Sequence, residues 1–261
     1  MAKKEKYQPI RGLIGEADDY RVYTPSIKQK ILWFAIGMIV SGAVLYIFYE
    51  NIIVSIIAGL VCGYLFIPMR TKQVIAKRRQ KLSQQFSGLL ESLSTSIGAG
   101  RNIYDSFAGA VPDLIVRFSE DADIVKEVKL ICAGLNHNIQ IEDLLLNFAA
   151  RSDVEDIESF ANVFATCYRK GGNIKDVIKN TASIISDKIE IQMELETMVA
   201  GQKNEMNILL VMPVLFIVIM KSMGGDLIDL SSPVGILSVT GALIIFILAY
   251  FVGQKITDIK L

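Results

Sequence analysis

Apolar residues collect in four long runs along this chain, two near the start and two near the end. The first is Ile31–Tyr49 and the second, after the polar break Glu50-Asn51, is Ile52–Met69. The third is Ile208–Met220, within a helix expected from about Asn207 to Met223, and the fourth is Val234–Val252. Runs of this length approach the minimum for a helix that crosses a bilayer, and a two-residue break between two of them predicts a tight hairpin. Residues 70–206 lie between the two hairpins and are mostly polar. Their apolar positions recur at steps of three and four: Leu82, Phe86, Leu89, Leu90, Leu93 and Ile97 share one helical face. That helix is expected to stop at Gly98-Ala99-Gly100. Asn102 has the character of an N-cap, with Asp105 three residues on. Asn138 precedes another helical run. Asp153 is expected to cap a further helix that buries Ile157, Phe160, Phe164 and Tyr168 and stops at Gly171-Gly172. Asn173 then caps a last helix that runs without a break to Met223, past Pro213, a rod of roughly 70 Å at about 1.5 Å per residue. The second apolar run is expected to lead into a helix beginning near Thr71, with Pro68 close to its start.

Part of this pattern repeats. Gly100, Asn102, Ile103 and Asp105 fall on Gly171, Asn173, Ile174 and Asp176 at an offset of 71 residues, shared by Leu89, Leu93 and Ile97 with Phe160, Phe164 and Tyr168. An amphipathic helix, a glycine stop, an asparagine cap and a second helix make up each unit, so a duplicated helical hairpin is expected. Asn138-Ile139 after Gly134 reads as a weaker third copy. No strand alternation stands out. The fold class expected is all-α: a polytopic membrane protein with four transmembrane helices (residues 31–69 and 207–253) and an antiparallel helical bundle at 70–206. Residues 1–30, with Pro9 and Pro25, read as a flexible or membrane-surface tail, and 254–261 as a short C-terminal tail.

Charge sets an orientation. Seven Lys or Arg precede the first run, and Arg70, Lys72, Lys77, Arg78, Arg79 and Lys81 follow the second with no acid among them. The hairpin tips offer Glu50 in one case, and Lys221, Asp226 and Asp229 in the other; Lys255 and Lys260 follow the fourth run. The positive-inside rule puts both termini and the central domain in the cytoplasm, and the basic cluster is also suited to anionic lipid heads. Over all 261 residues, 52% are hydrophobic and mean hydropathy is +0.42, beyond a usual soluble domain. Net charge is zero, so bulk charge gives no case for nucleic acid. No charge interrupts the interior of an apolar run, which speaks against ion or proton transport.

Candidate chemistry is sparse. One histidine, His137, and three cysteines, Cys62, Cys132 and Cys167, offer no metal spacing, triad or disulfide framework. Phosphate-loop, nucleophile-elbow, zinc-protease and dinucleotide motifs are missing. Gly171-Gly172 lacks the strand and Lys-Ser/Thr of a phosphate loop. No catalytic residue, cofactor or metal is expected. The cluster Asp153, Glu155, Asp156 and Glu158 matches no EF-hand spacing. It reads as acids at a helix start, as a solvated face, or as a docking surface for a basic partner.

The stretch from Phe148 to Phe216 resembles the type II secretion F-domain family, most closely the TadB-type platform proteins of Tad (Flp) pilus assembly. The residues that carry the resemblance are Ala150-Arg151 before an acid-rich cap, Gly171-Gly172-Asn173-Ile174 with Asp176, and Ala200-Gly201, followed by Pro213 in the next apolar run. Upstream, Phe86, Leu89, Leu90 and Leu93 with Ala99-Gly100 are similar to the first F-domain helix and its turn. The likeness covers residues 82 to about 253. It implies a platform in the bacterial cytoplasmic membrane that couples a hexameric secretion ATPase to insertion and assembly of pilin subunits. A single F-domain copy implies a second F-domain platform protein or self-association as a homo-oligomer. A small membrane transporter, or a purely structural anchor of a membrane complex, is the competing expectation.

Overall fold

The structure is a computed structural model that describes residues 10–15, 17–49, 51–223 and 233–257. Among these residues every regular element is an α-helix: α1 Ile27–Tyr49, α2 Ile52–Gly98, α3 Ile103–Phe118, α4 Asp123–Asn136, α5 Ile141–Ser152, α6 Glu155–Arg169, α7 Ile174–Ser222 and α8 Pro233–Thr257. Glu50, Asp226, Asp229 and Lys260, read above as hairpin tips and tail, lie outside the described residues, as does Pro9. The chain divides into two compact units. One comprises residues 71–190 with the N-terminal segment up to Thr24; the other comprises residues 25–70 and those from Ile191 onward.

The polar unit is built around the helical faces that the sequence marks out. Leu82, Phe86, Leu89, Leu90 and Leu93 of α2 are buried with Phe107 and Leu114 of α3, Ile124 and Val128 of α4, Leu145 and Phe148 of α5, and Ile157, Phe160 and Phe164 of α6. A run of aromatic rings crosses this core. Phe86 lies 6.3 Å from Phe148 and 5.4 Å, edge-on, from Phe160; Phe164 follows Phe160 at 5.6 Å, and Tyr168 stacks on Phe164 at 5.7 Å. Such ring pairs add about 0.5–1.5 kcal/mol each beyond the burial itself. Ile178 and Ile185 bring α7 onto the same core. Gly134 lets α4 and α5 approach closely, since a Cβ there would collide with the side chain of Leu144.

The other unit holds the apolar segments. α1, α2 and α7 are each long and apolar enough to cross a membrane, and α8 contains a shorter apolar stretch, Val234–Tyr250. The α1–α2 hairpin closes on small residues: a Cβ on Gly63 would come within 2.9 Å of the Phe34 carbonyl oxygen, and one on Gly37 within 3.0 Å of Phe66. Such contacts let helix backbones meet where lipid supplies no hydrophobic drive. Asn51 caps α2, its side-chain oxygen accepting from the Ile53 N–H at 3.1 Å. That is why two residues suffice to turn the chain. Tyr49 and Thr240 share a hydrogen bond of 2.8 Å between α1 and α8.

Three expectations change. The second apolar run does lead on past Thr71, as the single helix α2, but Pro68 lies in its interior and not near a helix start. A proline there loses one backbone bond, which neighbouring groups can offset in apolar surroundings. Asp153 does not cap α6. It sits in the left-handed region (φ 52°) as the residue closing α5, and Val154 begins α6 with no side-chain cap. Asn138 likewise takes a left-handed conformation (φ 59°) after α4, and Gln140 is the residue before α5. The third copy of the glycine–asparagine unit therefore lacks the cap that defines the other two.

The N-terminal segment also departs from a free tail. Tyr20 is buried, and residues from Ile10 onward lie against α2, α4 and α5. The reason is polar rather than apolar, as described next.

Candidate functional site

Three helices and the N-terminal segment converge on one buried ion pair. Arg151 of α5 is 3% exposed and Glu127 of α4 is 1% exposed. They pair through two parallel bonds of 2.7 and 2.6 Å. The remaining donors of Arg151 reach the Asn147 side-chain oxygen and the Asp18 carbonyl, both at 2.9 Å. The Tyr20 hydroxyl donates to the same Glu127 carboxylate at 2.9 Å, and the Tyr20 N–H donates to the Arg151 carbonyl at 3.0 Å. Above the Tyr20 ring lies the Arg78 guanidinium of α2, 4.5 Å from the centroid. Arg78 in turn donates to both oxygens of Asp123 and to Asp18, at 2.7–2.9 Å.

Each group is tuned by this enclosure. Burial first, and then the Glu127 carboxylate, drive the Tyr20 hydroxyl far above its ordinary pKa, while Arg78 pulls weakly the other way. Burial disfavours the Arg151 cation, but the hydrogen bonds and charge of Glu127, with Tyr20 and Asp19, outweigh it and hold its pKa above the usual value. Arg78 is raised chiefly by its bonds to Asp123, against the cost of burial. A carboxylate with a bidentate arginine and a phenol has its oxygens filled. Nothing here is poised to take a proton from a substrate, so the cluster is a fastener.

Arg151 was singled out by the sequence for its place in a motif, and its role follows from this pairing. Tyr20, Asp123 and Glu127 carry no such mark in the sequence, and Arg78 reads there only as one of the basic cluster that sets orientation. Tyr20 lies in a polar stretch with no periodicity, and Glu127 is one acid among many. The one available signal was Glu127 at a position of α4 that falls on the apolar face with Ile124 and Ile131.

The acidic cluster separates into two kinds. Asp153 pairs with Arg79 of α2 at 2.6 Å. Asp156 accepts from Ser83 of α2 at 2.9 Å and from Lys188 of α7 at 2.8 Å. Glu155 and Glu158 are exposed. The basic run after the second apolar segment is thus partly spent inside the polar unit, through Arg78 and Arg79. Elsewhere Asp113 accepts from Ser92, Glu120 pairs with Lys129, and Arg169 lies 3.7 Å from both Glu142 and Asp143. Many of the acids from α3 to α6 are therefore engaged within the polar unit.

The two glycine–asparagine turns share a geometry. Gly100 (φ 89°) and Gly171 (φ 68°) occupy the left-handed region where a side chain would strain the backbone. Asn102 accepts from the Asp105 N–H at 2.8 Å and Asn173 from the Asp176 N–H at 3.4 Å. In each case the asparagine amide donates back to the aspartate, at 2.7 and 2.5 Å. Gly172 has an ordinary φ, and its N–H closes the end of α6 on the Cys167 carbonyl at 2.8 Å. Tyr104 and Tyr168, 3.5 Å apart at their hydroxyls, bridge the first turn of α3 to the last of α6. Pro213 lies well inside α7, which continues on both sides of it. Among the described residues no cluster of His, Cys, Asp or Glu could hold a metal ion.

An all-helical protein with several membrane-length apolar helices and one packed polar helical unit is the class that these features define. The model of the family described as type II secretion system (T2SS), protein F, matches residues 89–220. That match covers a little over half of the chain, and the chain belongs to this family. Proteins of the family act as membrane platforms in type II secretion and type IV pilus-like systems, generally together with secretion ATPases and pilins. Neither the curated proteins nor the solved structures include a match to this chain.

Proposed function

We propose that this protein is the platform subunit of a Tad (Flp) or related type IV-like pilus machine, of TadB type, in the bacterial cytoplasmic membrane. In this reading four helices, α1, the apolar half of α2, the apolar half of α7, and α8, cross the membrane. Both termini and the polar unit face the cytoplasm. The protein does no chemistry of its own and binds no cofactor. It receives motion from a cytoplasmic hexameric ATPase and passes it to pilin subunits entering or leaving the membrane.

The observation that carries this reading is the continuity of α2 and α7. Each leaves the family's polar helical unit and becomes an apolar, membrane-length helix with no loop between. Displacement of the polar unit is then transmitted through backbone hydrogen bonds rather than through a flexible linker. The basic residues Arg70, Lys72 and Lys77, which follow the second apolar run, support the cytoplasmic placement.

The test is a chromosomal deletion with a tagged copy restored. Loss of surface pili on deletion, their return on complementation, and recovery of an ATPase with the tagged protein are expected. Normal piliation after deletion would reject the reading.

A further inference from the structure

The basic residues that follow the second apolar run divide in two. Arg78 and Arg79 are spent on carboxylates of the polar unit. Arg70 lies instead at the open end of the α1–α2 hairpin, and the register of the two helices brings Lys30 to the same end. Phe34 sits against Gly63 and Phe66 against Gly37, so the backbones are in close contact at that level. Lys30 stands four residues before Phe34 and Arg70 four residues after Phe66. Each is therefore one turn further toward the open end, on the seam line of its own helix. Two cations thus leave adjacent helices whose axes lie about 8–10 Å apart. Both residues are exposed. The helix start that carries Lys30 is ordered: the Lys30 N–H donates to the Ser26 carbonyl at 3.0 Å, and the Ser26 N–H donates to the Gln29 side chain at 3.1 Å. The Arg70 guanidinium folds back over the Phe66 ring, 5.7 Å from its centroid. That places its charge beside the apolar segment rather than out in water. The hairpin brings no carboxylate to this end, since α1 contains no Asp or Glu and α2 none before Glu91. Asp18 and Asp19, the acids that precede α1, are paired with Arg78 and Arg21.

We infer that this end of the hairpin binds the phosphodiester headgroup of an anionic phospholipid, held between Lys30 and Arg70. Two like charges that converge on one seam repel each other, and an anion placed between them replaces that repulsion with two attractions. Arg70 offers a planar fork that takes two phosphate oxygens at once, and Lys30 a compact charge. Lys28, exposed in the same turn of α1, adds to the positive potential. The neighbouring residues select a lipid over a soluble phosphate. Trp33, half-buried and three residues into α1 from Lys30, is of the type that settles where headgroups meet acyl chains. Ile31 and Leu32 beside it are exposed and give the chains of the same lipid an apolar wall. A zwitterionic headgroup carries its own cation to this site and gains less.

The inference rests on α1 and α2 crossing the membrane, as proposed above, and not on the pilus role. Trp33 is the chain's single tryptophan and reports on the site. The full-length protein is reconstituted in bilayers of phosphatidylcholine and phosphatidylglycerol, with bromine near the top of the acyl chains of one lipid or the other. Quenching of Trp33 is expected to show phosphatidylglycerol enriched about fivefold over its share of the bilayer. Lys30→Gln alone should lower that preference at least twofold, and Lys30→Gln with Arg70→Gln should abolish it. Quenching by brominated phosphatidylcholine should persist in both variants, which verifies their insertion. The exchange Lys30→Arg with Arg70→Lys should keep the preference, as should Lys203→Gln, which removes a cation from α7. Sodium glycerophosphate should displace no more lipid than sodium chloride of equal ionic strength; greater displacement means a site for soluble phosphate esters and overturns the lipid assignment. Equal quenching by the two lipids, or equal losses in Lys30→Gln and Lys203→Gln, overturns the site and leaves the membrane placement standing. Absence of quenching by either lipid removes the membrane placement and the site together.

Discussion

At the scale of single residues, the Glu127–Arg151 pair dominates the polar unit because both charges are buried. Taking two ions out of water is costly, and the return depends on complete pairing. Removing one partner leaves the other charged and enclosed. Glu127→Ala or Arg151→Ala is expected to destabilise the polar unit by about 3–5 kcal/mol. Replacing both by apolar residues of similar volume, as in Glu127→Leu with Arg151→Met, is expected to cost far less than the sum. Thermal unfolding of the detergent-solubilised wild type and the three variants tests this ordering. Tyr20→Phe removes one donor and costs about 1–2 kcal/mol, with the loss confined to the N-terminal segment. The same tyrosine gives a pH dependence. Its folded pKa is raised, so its contribution is intact below the unfolded tyrosine value, near 10. The contribution is lost as pH rises through the folded value. Facing groups are Glu127 and Asp123, which oppose ionisation, and Arg78, Arg79 and Arg151, the cations around it. In the difference between wild-type and Tyr20→Phe ultraviolet titrations, the Tyr20 component should appear only above the main tyrosine transition, together with loosening of residues 10–24.

At the scale of elements, the caps at Asn102 and Asn173 rest on the same local chemistry but not on the same bond. The shorter Asn102 bond predicts that Asn102→Ala costs about 1 kcal/mol and Asn173→Ala less. Glycines separate in the same way. Gly171→Ala forces a side chain into the left-handed region, at about 1–2 kcal/mol. Gly98→Ala lies at the end of α2 with open space around the new methyl and should stabilise by about 0.4–1 kcal/mol. Denaturant midpoints of the four variants test both orderings. Helices with a strong apolar face were readable because their period records which side is buried: Leu82 to Leu93 and Ile157 to Phe164 all lie in the core. The Asn102 and Asn173 caps were readable because an asparagine followed by an aspartate three residues on is a local signal. Asp153 misled for a related reason. An acid before a helix resembles a cap, but its carboxylate is drawn away by Arg79, a residue 74 positions earlier in the chain. Long-range pairing of this kind leaves no trace in spacing. The same holds for Tyr20, whose burial depends on an arginine and a glutamate that only the folded chain assembles.

At the scale of the whole molecule, the acids of α5 and α6 must be divided before any partner is assigned to them. Asp153 and Asp156 hold Arg79, Ser83 and Lys188, so reversing their charge attacks the junction of α2, α6 and α7. Glu155 and Glu158 point outward on the first turn of α6 and can change sign without loss of an internal pair. If the ATPase docks on this acidic surface, Glu155→Lys with Glu158→Lys should abolish its co-purification while leaving the melting temperature within about 2 °C, the scale of a surface substitution. Asp156→Lys should lower both, because it places a cation against Lys188. A second outcome is equally readable. Should Glu155→Lys with Glu158→Lys retain the ATPase and the pili, the docking surface lies elsewhere on the polar unit, and the acids of α6 serve its internal pairing and its helix start alone. The comparison is informative because the paired and exposed acids lie within six residues of one another. The larger change in charge falls on the variant that keeps the connection to α2 and α7, so a fold lost only in Asp156→Lys marks that connection and not bulk charge.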